Sequence, residues 1–372
     1  MTLPVAFYAP LKSPFHPAPS GDRTMARLLM RALAAGAYDP QLASETRTLD
    51  RAGDPAVQAG IKERCEAEAE ALLARYRALP ASRRPRLWFT YHVYYKAPDW
   101  IGPLVAAGLR IPYVVAEGSR ASKRAEGPWA LGHRGAEAAL DRADAVFVMT
   151  AHDREALERH RTAGQALVDL PPFLDDDWLG PARPPRIEGP PRLLTVAMMR
   201  AGDKLASYRL LAEALDGLRD MPCTLDIVGD GEIRPEVEAL FRHLDRVRFL
   251  GSAEDAATLR GHYDRADLFL WPAVNEAYGM VLLEAQARGC PVVAGAFGGV
   301  PSVVRDGETG RLARPGDAAA FADTVRALLE DEGERLRLGA GARRFVAGER
   351  TLAGAAGRLR GALEPLLGRG SA

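Results

Sequence analysis

Residues 271–315 read WPAVNEAYGMVLLEAQARGCPVVAGAFGGVPSVVRDGETGRLARP, and the architecture of the chain can be worked outward from them. Just upstream, residues 266–272 (ADLFLWP) form a short, continuous apolar run stopped by a proline, which predicts a buried parallel strand. Helical periodicity starts near Gly279: Met280, Leu283 and Ala287 recur at spacings of three and four, with Glu284 and Arg288 off the stripe. Gly289 ends that helix and Pro291 opens the next apolar strand, PVVAG. Strand, loop, helix, strand places the loop carrying Glu276, Ala277, Tyr278 and Gly279 at the carboxyl edge of a parallel sheet, where ligands bind. A helix beginning there presents unpaired N–H groups and its positive dipole end, which suits a phosphate or sugar oxygen. Glu276 and Glu284 flank this anion site. Acids beside a phosphate serve best as acceptors for neutral hydroxyls, such as those of a ribose and a sugar. Taken singly, each has a plainer reading, Glu276 as a helix cap and Glu284 as a solvated surface acid.

Composition narrows the class. With 372 residues there is length for two ordinary domains. Lys plus Arg and Asp plus Glu stand at 49 each, and neither half carries an excess, so nothing asks for nucleic acid. Cys65, Cys223 and Cys290 are isolated, which argues against a disulfide scaffold or zinc site and fits a reducing compartment. No run approaches the roughly 20 apolar residues of a membrane span, and the opening apolar stretch is too short for a signal peptide. A cytoplasmic protein is expected, with peripheral contact at the inner face of a membrane left open.

In chain order, residues 3–9 predict a first strand, and the loop 10–24 leads into a helix with Met25, Leu28, Leu29 and Ala32 on its apolar face. Gly21 lets the backbone approach a ligand, and Asp22 is the candidate cap. Strands follow near 41–44, 86–92, 111–117 and 143–150, with helices near 56–79, after Pro98, near 129–142 and after Thr150. Alternation of this kind means a doubly wound parallel sheet. His92 and Glu117 end two of its strands and so become site candidates. Lys96, Arg120, Lys123, Arg124 and Arg134 fall on loops at the same end, which suggests an acceptor bearing phosphate or carboxylate, an anionic membrane surface, or simply a solvated face.

Residues 168–190 are rich in Pro and Asp and are read as a linker, with Asp175 to Asp177 a polar hinge rather than a metal motif. A second domain begins with the strand 191–199, whose end delivers Arg200 and Lys204. Lysine is scarce, occurring only at positions 12, 62, 96, 123 and 204, so a strand-end lysine is less readily filler. Arg200 offers a planar fork and Lys204 a compact charge for phosphate oxygens. Gly229 and Gly231 imitate the start of GxGxxG, but Arg234 stands where the third glycine belongs, which disfavours NAD. Residues 306–315 read as a turn run, followed by helices near 317–330, 332–346 and 351–367.

Glu276 and Glu284 with seven residues between them, then GCPVVAG, GGVPSVV and DGETGRL, closely resemble the nucleotide-sugar site of the family 4 retaining glycosyltransferases. The resemblance is strong over 191–316 and weak over 1–180. It implies a GT-B fold, two Rossmann-like doubly wound α/β domains facing across a cleft. These would be residues 1–175 and 185–348, with a crossover helix at 350–372 laid back on the first. It implies that Glu276 holds a hydroxyl of the transferred sugar and that Glu284 holds the donor ribose. The backbone from Ala277 through Tyr278, Gly279 and Met280 to Val281 would meet sugar and phosphate, and Arg200 and Lys204 the diphosphate. Gly229, Gly251 and Ser252 would lie near the base, and Gly21 in the loop between sugar and acceptor. Ala277 and Tyr278 depart from the usual Gly and Phe. Glu117 stands where many relatives carry a His; either it takes the His role, or His92 covers for it, or the acceptor chemistry differs. The expectation is a metal-independent enzyme without cofactor, moving a hexose-type sugar from a UDP- or GDP-sugar to a sugar, lipid-linked or small-molecule acceptor. A phosphorylase, a nucleotide-sugar epimerase and a non-catalytic binding protein are the alternatives.

Overall fold

The computed structural model describes residues 2–18, 20–180, 189–253 and 255–369. The chain divides into two compact units, Met1–Pro171 with Leu352–Ala372, and Pro172–Thr351.

The first unit contains strands β1 (Leu3–Tyr8), β2 (Tyr38–Ser44), β3 (Leu87–Val93), β4 (Tyr113–Gly118), β5 (Ala145–Val148) and β6 (Ala166–Asp169), all parallel, in the order β2-β1-β3-β4-β5-β6. Helices α1 (Gly21–Ala35), α2 (Pro55–Ala78), α3 (Gly102–Leu109), α4 (Ala130–Arg142) and α5 (Ala151–Arg159) connect them. The central strands are buried along almost their whole length, as unbroken apolar sequences must be when helices cover both faces of a sheet. β2 tolerates Pro40 because it is an edge strand, with one side of its ladder unpaired. β6 runs into the stretch read as linker, 168–190, and begins before it. It is a short, half-exposed edge strand, and so lacks the apolar run that marks its neighbours.

The second unit contains β7 (Arg192–Val196), β8 (Thr224–Val228), β9 (Val247–Gly251), β10 (Leu268–Trp271), β11 (Val292–Gly295) and β12 (Gly310–Ala313), again all parallel, in the order β12-β11-β10-β7-β8-β9. Its helices are α6 (Asp203–Asp216), α7 (Arg234–Phe241), α8 (Ala256–Arg265), α9 (Met280–Ala287), α10 (Ala318–Glu330) and α11 (Glu332–Glu349). The supposed turn run 306–315 therefore contains an edge strand. α12 (Leu352–Arg369) returns to the first unit and packs against α1.

The boundary falls earlier than the expected 175–185. Phe173 and Leu174 are buried, and Leu174 N–H donates to the Arg350 carbonyl at 2.8 Å beside a bridge to Thr351, which ties residues 172–174 to the second unit. Residues 181–188 of the expected linker lie outside the described residues.

In each sheet the strand order reverses once beside the unit's first strand, between β1 and β3 and between β7 and β10. Loops leaving the two strands at such a reversal part to opposite faces and open a crevice. In the second unit glycine shapes that end. A Cβ on Gly229 would stand 1.9 Å from the Ala197 carbonyl oxygen, and one on Gly231 2.1 Å from that of Met199. Gly229→Ala should therefore cost about 2 kcal/mol or more in urea unfolding, while Gly357→Ala, with open space around it on a helix, should be neutral to stabilising by up to about 1 kcal/mol.

Candidate active site

At the β7/β10 reversal the two parting loops are tied together. Lys204, in the first turn of α6, places Nζ 2.5 Å from Glu276 Oε2, and Trp271 Nε1, at the end of β10, donates to the same oxygen at 3.2 Å. The ammonium also lies 5.2 Å from the centre of the Trp271 ring. Asn275 Nδ2 donates to Asp203 Oδ1 at 2.9 Å, and Val274 N–H donates to Ser207 Oγ at 3.0 Å, so the β10–α9 loop is stitched to α6 along its length. Within that loop Ala273 and Asn275 hold positive φ of 57° and 50°, a strained pair of the kind that persists where surrounding contacts over-determine the backbone. Glycines let the following turn fit beneath it: a Cβ on Gly295 would reach 2.2 Å from the Pro272 carbonyl oxygen, and one on Gly298 2.6 Å from that of Glu276.

Two helix N-termini open beside the ion pair, and neither has a side-chain cap. Gly202 (φ 82°) precedes α6 and Gly279 (φ 76°) precedes α9, both in backbone conformations that favour glycine. Glu276 is thus no helix cap. Ala277 is exposed, Val281 half-buried, and Tyr278 and Met280 buried. Arg200 is half-buried on the β7–α6 loop, with Nη2 3.2 Å from Met198 Sδ, and no contact joins it to Lys204 or Glu276. Gly229 donates its N–H to the Gly251 carbonyl at 2.8 Å, and Ser252 beyond it is exposed.

Glu284 is the fifth residue of α9 and is 8% exposed, so it is not a solvated acid. Burial pushes its carboxyl up to about 7, against the opposing hydrogen bond from the Tyr263 hydroxyl at 2.9 Å. α9 is buried on nearly every side, which hides Glu284 from a reading based on one apolar stripe.

The first unit carries a counterpart at its β1/β3 reversal. His92, at the end of β3, sets Nδ1 3.2 Å from Asp22 Oδ1, in the first turn of α1, and 3.5 Å from Glu117 Oε1, at the end of β4. The expected cap role of Asp22 is corrected here: Ser20 caps α1, its Oγ accepting from Arg23 N–H at 3.2 Å, which leaves the Asp22 carboxylate to His92. Burial alone would lower the His92 pKa, but Glu117 and Asp22 override it and hold the ring cationic up to about 9. Burial raises the Glu117 carboxyl, with His92 opposing, whereas His92 and Lys12 hold Asp22 low despite its burial. His92 and Glu117 both sit at positive φ, 65° and 60°, strained at their strand ends. A Cβ on Gly21 would meet nothing within 4 Å. Asp153, which binds the Ser119 and Thr150 hydroxyls at 2.6 Å, adds negative charge near His92 and was missed because it lies one turn inside a helix rather than at a strand end.

The basic loop cluster divides. Arg120 is buried and committed to Glu137, Asp141 and the His160 carbonyl, so it does not belong to a free basic surface. Lys96 and Arg124 lie instead over the Tyr95 and Trp129 rings. Among the described residues no group of three or more His, Cys, Asp or Glu could hold a metal ion, and no helix is long and apolar enough to cross a membrane.

Comparison with known proteins bears on the fold and on the sequence of the second unit. A family profile described as "Glycosyl transferases group 1" matches residues 190–331. The D-inositol 3-phosphate glycosyltransferase of Corynebacterium aurimucosum is 30% identical over 221 residues, 54% of this chain and 52% of the relative. The phosphatidyl-myo-inositol mannosyltransferase of Mycobacterium leprae is 37% identical over 182 residues, 45% and 46% of the two chains. The chain thus matches about half the length of these relatives. Among solved structures, a sucrose-phosphate synthase from Thermosynechococcus elongatus superposes with a TM-score of 0.75 at 22% identity, covering 99% of this chain and 100% of that one. The Anabaena protein HepE in complex with UDP and glucose gives 0.69 at 15%, covering 97% and 99%. Both likenesses establish the fold.

The Glu284 environment sets a pH dependence. A carboxyl raised from 4.5 to about 7 binds more protons folded than unfolded, so stability falls as pH rises between those values and levels off above them. Glu284→Gln should remove that slope, on the order of 3 kcal/mol across the interval, in unfolding measured from pH 4.5 to 8.

Proposed function

We propose that this chain, whose second unit matches the profile of glycosyl transferases group 1 and whose fold is shared with glycosyltransferases, is a family 4 enzyme that moves a hexose-type sugar from a nucleoside-diphosphate sugar to a hydroxyl acceptor with retention of anomeric configuration. The observation that carries the donor half of this reading is the Lys204–Glu276 pair lying between two uncapped helix N-termini. An ammonium and two sets of unpaired N–H groups suit a diphosphate, and a carboxylate beside them suits a sugar hydroxyl. Lysine has three donors, so Lys204 can keep Glu276 oriented while it binds a phosphate oxygen. In this reading, charge that develops on the departing diphosphate is met by Lys204, Arg200 and the α9 N-terminus. No metal is required in this scheme, and activity should survive EDTA.

Glu284 accepts from the ribose in this proposal. Its carboxyl near 7 makes that contact pH-dependent: affinity for a UDP-sugar, whose diester pyrophosphate keeps its charge, should rise from pH 6 to pH 8 in the wild type. In the first unit, Glu117 is the hydroxyl acceptor for the incoming substrate. His92, cationic at neutral pH, acts as a donor that fixes the two carboxylates and not as a base.

A thermal-shift screen across UDP-, GDP- and ADP-sugars identifies the donor, and no shift with any of them would sink the reading. With the donor in hand, Lys204→Ala should lower kcat by about a hundredfold. Glu276→Gln should weaken the intact sugar nucleotide by about tenfold while free diphosphate binds as well or better in calorimetry, since the freed ammonium loses its competitor.

A further inference from the structure

The loop after β3 forms a tight turn in which Ala97 N–H donates to the Tyr94 carbonyl at 2.9 Å, presenting Tyr95 and Lys96. The Tyr95 ring stands edge-on to Trp129, with centroids 5.8 Å apart. Over this aromatic pair lie two cations, Lys96 at 5.7 and 5.3 Å from the two ring centres and Arg124 at 5.3 and 5.1 Å. Among the described ion pairs neither has a carboxylate partner, whereas Arg120 on the neighbouring loop pairs with Glu137 and Asp141. The Trp129 indole N–H is buried and without a hydrogen-bond partner. Two cations without a described carboxylate partner over one rigid pair of rings, the second of which keeps an unused donor, suit a compact, highly charged anion.

The rigidity is built in. Asp50 accepts from the N–H groups of residues 52, 53 and 54, and buried Gln58 joins Asp50 to the Pro128 carbonyl at 2.7 and 2.8 Å. A Cβ on Gly53 would stand 2.9 Å from the Trp129 ring, and one on Gly132 2.3 Å from the Tyr95 carbonyl oxygen, so two glycines admit the close packing that fixes the rings. From this receptor a run of ring contacts, Tyr95 to Tyr94 at 5.5 Å and Tyr94 to His92 at 5.0 Å, leads to the carboxylate cluster at the β1/β3 reversal.

Resting on the transferase reading, we infer that Lys96, Arg124 and the Trp129 indole bind a phosphate monoester carried by the acceptor, placing its hydroxyl toward His92 and Glu117. The shared chemistry is the monoester, whether on a soluble polyol or on a lipid. Calorimetry on the full chain with myo-inositol 1-phosphate and glucose 6-phosphate, against myo-inositol and glucose, tests the soluble case. Flotation with vesicles of phosphatidic acid in phosphatidylcholine, against phosphatidylcholine alone, tests the lipid case. One of the two phosphate sources should bind, with a change in tryptophan emission that disappears in Trp129→Phe, and Lys96→Ala/Arg124→Ala should weaken it at least tenfold. The UDP-sugar thermal shift of that double variant should match wild type, which certifies its fold and its donor site. Equal binding of phosphorylated and plain compounds, or binding unchanged in the double variant, overturns the inference while leaving the donor site intact. Binding of a phosphate monoester by a chain that takes no sugar nucleotide would instead sink the transferase reading and keep the anion receptor.

Discussion

Where the strand order of a parallel sheet reverses, the two flanking loops turn away from each other, and in each unit of this protein a charge pair ties those loops together. Lys204 and Glu276 do so across β7 and β10, and Asp22 and His92 across β1 and β3. Each pair joins the first turn of the helix after the unit's first strand to the end of the strand, or the loop beyond it, on the other side of the reversal. The topology opens a crevice and the ion pair fixes what lines it. Much else serves these two ties: the positive φ at Ala273 and Asn275, the same strain at His92 and Glu117, and the glycines that let neighbouring turns approach.

Both sites are electrostatically tense, in different senses. Glu284 sits where burial raises its carboxyl to about 7, with the Tyr263 hydroxyl opposing. His92 lies under the same burial but between carboxylates, and remains a cation. The sign of each shift follows from which wins, desolvation or a nearby opposite charge.

The basic loops of the first unit show how little a charge count says without partners. Arg120 spends its guanidinium on two acids and a carbonyl inside the fold, whereas the Lys96 ammonium and the Arg124 guanidinium lie over aromatic rings. The same residue types at neighbouring positions are scaffold in one case and receptor in the other.

The alternation of apolar runs with helical stripes, the glycines and prolines that bound them, and the ordered motifs from Glu276 to Gly310 determined the α/β class, the central strands of both sheets and the family resemblance, because these signals are local and the periods of strand and helix differ. Edge strands β6 and β12 escaped, since an edge strand needs no continuous apolar run. Glu276 and Glu117 were legible as candidates from their places in a loop and at a strand end, and Glu284 from the ordered motif that contains it. Their partners were not. That Lys204 reaches Glu276, that Tyr263 meets Glu284 beneath a nearly buried helix, and that Asp22 turns to His92 depend on residues distant in sequence being brought within 2.5 to 3.2 Å. Only tertiary packing decides such contacts, because burial and the identity of the facing charge are properties of the folded chain and not of any stretch of it.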